Sequence, residues 1–151
     1  MRAVVQRVTK SEVVIDGAVT GKIDNGFMVL LGVGEGDTDE DMKYIADKII
    51  KLRIFGDADG KMNLSLGDVG GSMLVISQFT LYGDCSHGRR PFFGAAMEPV
   101  GANAMYEKFV DYVRTQGVHV ETGEFGADMK VTLTNDGPVT IILESKENKN
   151  D

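Results

Sequence analysis

The sequence predicts an α+β fold in which mixed or antiparallel β-sheets form a barrel-like core with two main helices. The first observation is the number of short alternating or apolar runs, which are typical of strands, beside two separate runs with helical periodicity. The second is the density of hairpin signals, such as Asp16-Gly17 and Asn25-Gly26. Because the strands are joined by short turns and do not alternate with helices, a doubly wound fold is excluded.

The first half of the chain predicts several strands and one helix. Residues 2–8 and 12–15 alternate between apolar and polar side chains and predict two strands, and another strand ends at Ile23. The continuous apolar run 27–33 predicts a buried strand. Thr38 is a favourable N-cap for the first helix. The apolar residues behind it share one helical face: Met42, Ile45, Ala46, Ile49 and Ile50.

The second half predicts an inner strand, a long loop, a helix and the last strands. Residues 72–78 predict the inner strand, and residues 81–97 predict the irregular loop. The helix is predicted from Pro99, which is tolerated in a first turn, to Gly117, a residue type that ends helices. Its apolar face consists of Ala102, Met105, Tyr106, Phe109, Tyr112 and Val113. The final strands are predicted at 118–120, 130–134 and 139–143.

Length and composition predict one domain. A chain of 151 residues has the size of a single domain, and we expect the domain at 1–143 and a polar, disordered tail at 144–151. No run approaches the roughly 18 apolar residues that span a membrane. The opening residues have a strand pattern and no secretory signal. The single cysteine, Cys85, cannot form an internal disulfide, so we expect a cytoplasmic protein without a membrane partner.

The net charge restricts the partners of the protein. Sixteen Lys and Arg residues against 23 Asp and Glu residues give a net charge of −7. This is the wrong sign for binding nucleic acid through its backbone, and we predict no DNA partner. Contact with RNA would have to be confined to a small patch. The candidate cations are Arg89 and Arg90 with nearby His87, and the cluster Lys48, Lys51 and Arg53 at the end of the first helix.

Metal-binding and phosphate-binding motifs are incomplete. Asp57–Gly60 begins like a calcium loop, but Met62 and Asp68 stand where a glycine and a glutamate are required. A hairpin turn is predicted there instead. Gly32–Gly36 connects a strand to a helix, but Asp37 occupies the third glycine position of a dinucleotide-binding motif. The sequence therefore predicts neither a metal site nor a nucleotide cofactor.

The segment Asn135–Thr140 places the step Gly137-Pro138 between two strand-like runs. Proline removes a donor from the sheet ladder, and an X-Pro bond is the peptide at which a cis conformation is cheap. These residues alone favour a tight turn between two strands. The same step can also hold two carbonyl oxygens in a fixed direction and so form a rigid recognition wall.

Two separated motifs together resemble a known family. The stretch Ser77–Leu81 (Ser-Gln-Phe-Thr-Leu) and the segment Asn135–Thr140 (Asn-Asp-Gly-Pro-Val-Thr) resemble the paired signature of the D-aminoacyl-tRNA deacylases. The opening residues 1–8 and the segment Gly123–Met129 look like the same family. The resemblance covers residues 1–143, and the two motifs with their matching ends make it specific.

The resemblance implies a homodimeric hydrolase without cofactor or metal. Its partner is the 3′ end of an aminoacyl-tRNA, and it cleaves the ester between tRNA and a D-amino acid, or glycine mischarged on tRNA-Ala. The candidate catalytic residues are Gln78, Phe79 and Thr80. The candidate substrate-binding residues are Arg7, Ser77, Leu81, Phe125, Gly126, Ala127, Met129, Gly137 and Pro138.

The same resemblance assigns a role to each segment. Residues 77–81 line the pocket for the aminoacyl end, and residues 125–129 receive the terminal adenine. The Gly137-Pro138 bond is expected to be cis and to reach into the pocket of the partner subunit. Its carbonyls there leave no room for the side chain of an L-amino acid, whereas glycine passes. Arg7 is expected to hold the Gly-Pro segment, since its guanidinium carries several donors.

One departure concerns the long loop, where family members commonly carry Lys-Gly-x-Arg-Pro-Ser-Phe. Here His87 and Phe92 replace the lysine and the serine. Phosphate contacts from those two positions are therefore not expected.

The motifs offer little material for side-chain catalysis. Apart from Asp136 they contain no His, Cys, Asp or Glu. We therefore expect backbone N–H groups near Phe79 and Thr80 to polarise the ester while the tRNA 2′-hydroxyl reacts.

Two alternative functions stay open. One is a non-catalytic dimeric module that binds charged tRNA or D-amino acids. The other is a thioesterase or protease that uses Cys85 with His87.

Overall fold

The structure is a computed structural model that describes residues 1–145. This part of the chain contains eight strands, two α-helices and one 3₁₀ helix, which lies between the sixth strand and the second α-helix. The strands are β1 (Arg2–Ile15), β2 (Ala18–Ile23), β3 (Gly26–Gly32), β4 (Phe55–Gly56), β5 (Met62–Leu64), β6 (Ser72–Ser77), β7 (Val120–Thr122) and β8 (Lys130–Glu144). The helices are α1 (Asp39–Lys51) and α2 (Pro99–Thr115), and the 3₁₀ helix spans Phe79–Tyr82.

Six of these strands form one mixed sheet. Strand β1 is antiparallel to β2, β3 and β8, whereas β3 and β6, and β6 and β7, are parallel. The sheet curves into a nearly closed barrel, because β2 approaches β7 at the far end. A Cβ atom added at Gly21 would lie 2.5 Å from the carbonyl oxygen of Thr122, so this glycine permits the approach of the two strands. The predicted α+β class with a barrel-like core and two helices is confirmed.

The central strands bury side chains on both faces. Phe27, Val29 and Leu31 of β3 pack under the helices, and Met28 between them points to a second cluster inside the barrel. Strand β6 divides its apolar residues in the same way. Strands that are covered on both faces have continuous apolar sequences, which explains the unbroken run at 27–33.

Both helices begin and end near the predicted residues. Thr38 is the N-cap of α1, and a capping box with Asp41 completes its first turn. Glu98 is the N-cap of α2, and its carboxylate accepts hydrogen bonds from the backbone N–H groups of Val100 and Gly101 at 2.8 and 2.6 Å. Helix α2 then starts at Pro99, whose missing N–H costs nothing in a first turn. The two helices cover one face of the sheet.

The predicted tight turn at Gly137-Pro138 is wrong. Residues 130–144 form a single strand, since both halves pair with the same strand β1. Thr140 pairs with Gln6 and Asn135 pairs with Val8, so the intervening residues form a bulge in a continuous strand. The bulge is closed by the Asn135 side chain, which accepts from the Val139 N–H at 2.7 Å and donates to the Val139 carbonyl at 3.1 Å.

Three other boundaries differ from the predictions. The two strands expected at 2–8 and 12–15 are one strand, because long-range pairing with β8 continues across the polar residues between them. Strand β7 lies two residues later than expected, at Val120–Thr122. The 3₁₀ helix Phe79–Tyr82 begins before the loop predicted at 81–97 and includes the first two residues of that loop. The hairpin predicted at Asp57–Gly60 is confirmed as the turn between β4 and β5.

The α-ammonium group of Met1 lies in a buried polar cluster. It is 2.8 Å from the carboxylate of Asp37 and donates to the Ser145 hydroxyl at 2.9 Å. The side chains of Met1 and Asp37 are 0% and 1% exposed. Glu144 and Ser145 therefore belong to the described fold. The rest of the predicted tail lies outside the described residues.

Candidate active site

The end of β6 and the loop before β8 line a cleft of about 650 Å³. This size suits a small molecule or one end of a larger one. Seven of the predicted site residues line it: Ser77, Gln78, Phe79, Phe125, Gly126, Ala127 and Met129. The structure therefore brings together two stretches that are far apart in the sequence.

The first wall is the turn from β6 into the 3₁₀ helix. Gln78 is anchored by its backbone N–H, which donates to the carbonyl of Leu31 at 2.8 Å, and its side-chain amide donates to the hydroxyl of Thr80. In the described part of the chain the N–H groups of Phe79 and Thr80 have no hydrogen-bond acceptor. The first N–H groups of a helix have no partner within the helix. Two backbone donors are therefore available at the edge of the cleft.

The second wall is apolar and comes from residues 125–129. Phe125 packs on the ring of Tyr106 with a centroid distance of 6.3 Å, and its inner side belongs to the main core. Tyr106 is itself fixed, because its hydroxyl donates to the carbonyl of Val75 at 2.6 Å, and burial raises the pKa of Tyr106 to about 12. Met129 lies over Gly123. An aromatic ring and a thioether on a firm base form a surface on which a nucleobase can pack.

Two carboxylates line the cleft, and each is engaged elsewhere. The oxygens of Glu98 accept the first N–H groups of helix α2. Asp128 forms an exposed ion pair with Lys130 at 3.1 Å. Glu98 was not among the predicted site residues, although its position before Pro99 is an N-cap signal. The cleft thus contains no carboxylate placed as a dedicated general base.

Thr80 and Leu81 lie beside the cleft and do not line it. Thr80 is exposed, and Leu81 is half-buried. Phe93, Ala96 and Met97 of the long loop also line the cleft, and they were not predicted because the loop has no periodic pattern. Phe93 packs edge-on against Phe79 at 5.1 Å, so the loop forms part of the wall.

The segment that contains Gly137 and Pro138 lies away from the cleft of its own chain. The Gly137–Pro138 peptide bond is cis, as the resemblance implied, and Gly137 has a φ of +143°. Arg7 donates from Nε to the carbonyl of Asp136 at 2.8 Å and from Nη1 to the carbonyl of Ile54 at 2.6 Å. The guanidinium therefore ties the bulge of β8 to the chain that follows α1.

Strand register separates this segment from the cleft of the same chain. Ser77 is level with Leu31 and hence with Ala3, whereas the bulge is level with Arg7. Four residues of strand correspond to ~13 Å along the sheet, and strands β1 and β3 lie between the two sites. One copy of the chain does not bring Gly137 and Pro138 into its own cleft.

The other candidate nucleophile lies outside the cleft lining. Cys85 is an exposed free thiol in the long loop. His119 is exposed, and its Nε2 atom is 3.0 Å from a carboxylate oxygen of Glu121. Among residues 1–145 no group of three His, Cys, Asp or Glu side chains could hold a metal ion. No helix in the described part of the chain is both long and apolar enough to cross a membrane.

The fold and the cleft define a class of protein. It is a small α+β barrel with two helices on one face and a cleft that is lined by aromatic rings and a thioether, with two free backbone N–H groups at its edge. The profile of the family described as D-Tyr-tRNA(Tyr) deacylase matches residues 4–144. The chain belongs to this family.

Individual relatives and solved structures are similar over nearly the whole chain. The chain is 60% identical to the "D-aminoacyl-tRNA deacylase" of Fervidobacterium nodosum over 97% of this chain and 99% of that protein. A solved structure titled "c-Myc DNA Unwinding Element Binding Protein" has a TM-score of 0.90 and 39% identity, covering 95% of this chain and 98% of the other. A second, of a probable eukaryotic D-amino acid tRNA deacylase, has a TM-score of 0.80 at 18% identity and 95% and 98% coverage, and shares the fold.

Proposed function

We propose that this protein hydrolyses the ester that joins a D-amino acid to the 3′-terminal adenosine of tRNA. The observation that carries the proposal is the meeting of residues 77–79 and 125–129 in one cleft, in a chain that belongs to the deacylase family. Binding of duplex DNA is not proposed, because a net charge of −7 opposes extended contact with a phosphate backbone.

In this proposal each wall of the cleft has a separate role. The adenine packs on the apolar wall at Phe125 and Met129, which orients the ester toward the end of β6. The free N–H groups of Phe79 and Thr80 then donate to the oxyanion that develops on the ester carbonyl. Gln78 holds Thr80 through its side-chain amide and keeps these donors in position.

The reactive hydroxyl is assigned to the tRNA. Glu98 and Asp128 are the carboxylates at the cleft, and one caps a helix while the other pairs with a lysine. Thr80 has no adjacent base, and an unactivated threonine is a weak nucleophile. The 2′-hydroxyl of the terminal adenosine is adjacent to the ester and relays a proton of the attacking water molecule. The water oxygen bonds to the carbonyl carbon, the bond from that carbon to the 3′-oxygen breaks, and the relayed proton ends on the 3′-oxygen.

Chiral selection is assigned to a second copy of the chain. Gly137 and Pro138 are exposed, and they are separated from the cleft of their own chain by strand register. In a two-fold dimer each copy would place its Gly-Pro carbonyls at the cleft of the other. Arg7 and Asn135 hold this segment in one position. The Cβ atom of an L-amino acid would therefore clash with the fixed Gly-Pro carbonyls. Glycine has no Cβ and would be accepted, including glycine mischarged on tRNA-Ala.

The proposal is tested with matched D-tyrosyl-, L-tyrosyl- and glycyl-tRNA. We expect release of D-tyrosine and glycine, and L-tyrosine release at least about a hundredfold slower, because a clash with fixed backbone cannot relax. Labelled amino acid freed from tRNA is the measured quantity. A Cys85→Ser variant with unchanged rates excludes the thiol mechanism. Binding of D-tyrosyl-tRNA without any release would instead establish the non-catalytic module.

The dimer makes a separate prediction. Sedimentation at micromolar concentration should give twice the mass of the chain, and cross-links from position 137 should reach residues 77–81 of the other copy. A stable monomer that still discriminates D- from L-tyrosyl-tRNA would contradict the shared site. Cross-links confined to one chain would contradict it as well.

A further inference from the structure

The loop at residues 84–92, called the tip loop below, has a defined base. Asp84 and Phe92 pair through two backbone hydrogen bonds, at 2.8 Å from the Asp84 N–H and 2.9 Å from the Phe92 N–H. The Asp84 carboxylate also accepts from the N–H of Ser86 at 2.9 Å, and hydrogen bonds from Ser86 lower the pKa of Asp84. The tip loop is therefore closed at its base, and its residues are exposed.

Two adjacent aromatic residues at this base lie on different surfaces of the protein. Phe93 lines the cleft and packs against Phe79. Phe92 is 69% exposed. Its ring lies directly over Gly94, where an added Cβ atom would be 2.2 Å from a ring carbon. An aromatic ring that is supported by backbone and remains largely exposed can stack with a nucleobase.

The tip loop also carries two arginines that no other described residue binds. Arg89 and Arg90 are exposed and have no ion pair or hydrogen bond within residues 1–145. The other four arginines are engaged: Arg2 with Glu144, Arg7 with Asp136, Arg53 with Asn63, and Arg114 with Val120. In a chain with a net charge of −7 two adjacent free guanidinium groups are a local exception.

We propose that the tip loop binds the unpaired nucleotides that precede the terminal adenosine of the substrate RNA. This inference rests on the proposed function, which places that adenosine in the neighbouring cleft. Arg89 and Arg90 contact backbone phosphates, for which the guanidinium fork is suited. Phe92 stacks on one base. Such a patch would let an acidic protein hold RNA without an extended basic surface.

The arginines are tested with Arg89→Gln/Arg90→Gln and a charge-matched control, Lys43→Gln/Lys61→Gln, which removes two exposed lysines outside the tip loop. For D-tyrosyl-tRNA we expect the arginine variant to raise KM about tenfold or more at low salt with kcat unchanged. The slope of log(kcat/KM) against log(salt) should become flatter by about 1.4, at ~0.7 per lost phosphate contact with single strands. The lysine control should change KM by less than about twofold.

The ring is tested with Phe92→Ala and Phe92→Tyr. We expect the alanine variant to raise KM about tenfold and the tyrosine variant to restore it, since stacking requires an aromatic face. Equal KM values for the arginine variant and the lysine control overturn the inference. A lower kcat with an unchanged KM in the tip-loop variants overturns it as well. Dissociation of Phe92→Ala into monomers also overturns it, because the ring would then belong to a protein interface. Failure of the wild-type protein to cleave D-tyrosyl-tRNA would instead reject the proposed function itself.

Discussion

D-tyrosyl-tRNA that ends in 2′-deoxyadenosine should bind this protein normally and be cleaved at least about a hundredfold more slowly. The expectation follows from the cleft, whose carboxylates Glu98 and Asp128 are already engaged with a helix terminus and a lysine. A group that transfers a proton or attacks in the transition state contributes about 10²–10⁴-fold to a rate. If the RNA hydroxyl is that group, its removal should have an effect of this size. The measurement is kcat and KM for the two substrates under single-turnover and steady-state conditions.

The matching protein variant is Thr80→Ala. Its hydroxyl accepts a hydrogen bond from the amide of Gln78, but the proposed catalytic donor at this position is the backbone N–H, which the substitution retains. We therefore expect kcat within about tenfold of the wild-type value, below the ~10²–10⁴-fold loss of an acid or base. As a control for the substrates, alkali should release equal amounts of D-tyrosine from the deoxy tRNA and from the ordinary tRNA. This result would show that both tRNAs carry the same amount of D-tyrosine. Loss of hydrolysis in Thr80→Ala, with the deoxy substrate still cut, would assign the chemistry to the side chain.

Replacing Asp37 by alanine should lower the free energy of unfolding by about 3–5 kcal/mol, the usual effect of removing one partner of a buried ion pair. The carboxylate contacts the buried ammonium group of Met1 and accepts the Gly34 N–H at 2.6 Å. Without it the buried ammonium group loses the Asp37 carboxylate as its ion-pair partner. Urea unfolding at one fixed protein concentration measures the change, since association would otherwise contribute.

Asp39→Asn is the control for this variant. Asp39 pairs with Lys108 at 3.2 Å, and both side chains are 57% exposed. Exposed ion pairs contribute about 0–1 kcal/mol, because water screens the charges and the side chains lose freedom. If both variants lower the free energy of unfolding by a similar amount, burial is not the reason why the Met1–Asp37 pair stabilises the fold.

The sequence by itself determined the features that depend on neighbouring residues. Thr38 and Pro99 marked the starts of the two helices because capping and proline geometry act within one turn. The apolar run at 27–33 marked a buried strand, since every side chain in it had to be covered. The paired motifs identified the family, and residues 77–79 and 125–129 were predicted to form part of the cleft lining. Phe93 and Met97 were not predicted, since they come from a loop without a pattern.

The tertiary structure decided what depends on partners distant in the sequence. The Gly137-Pro138 step has the local chemistry of a turn, yet it became a bulge because one long strand, β1, pairs with the residues on both sides of it. Register along the same strand put this bulge and the Ser77–Leu81 motif at different levels of the sheet. The free state of Arg89 and Arg90 likewise depends on the tertiary structure, because the closed tip loop is exposed along its length. Such outcomes depend on which strands and loops meet, and local propensity does not encode that choice.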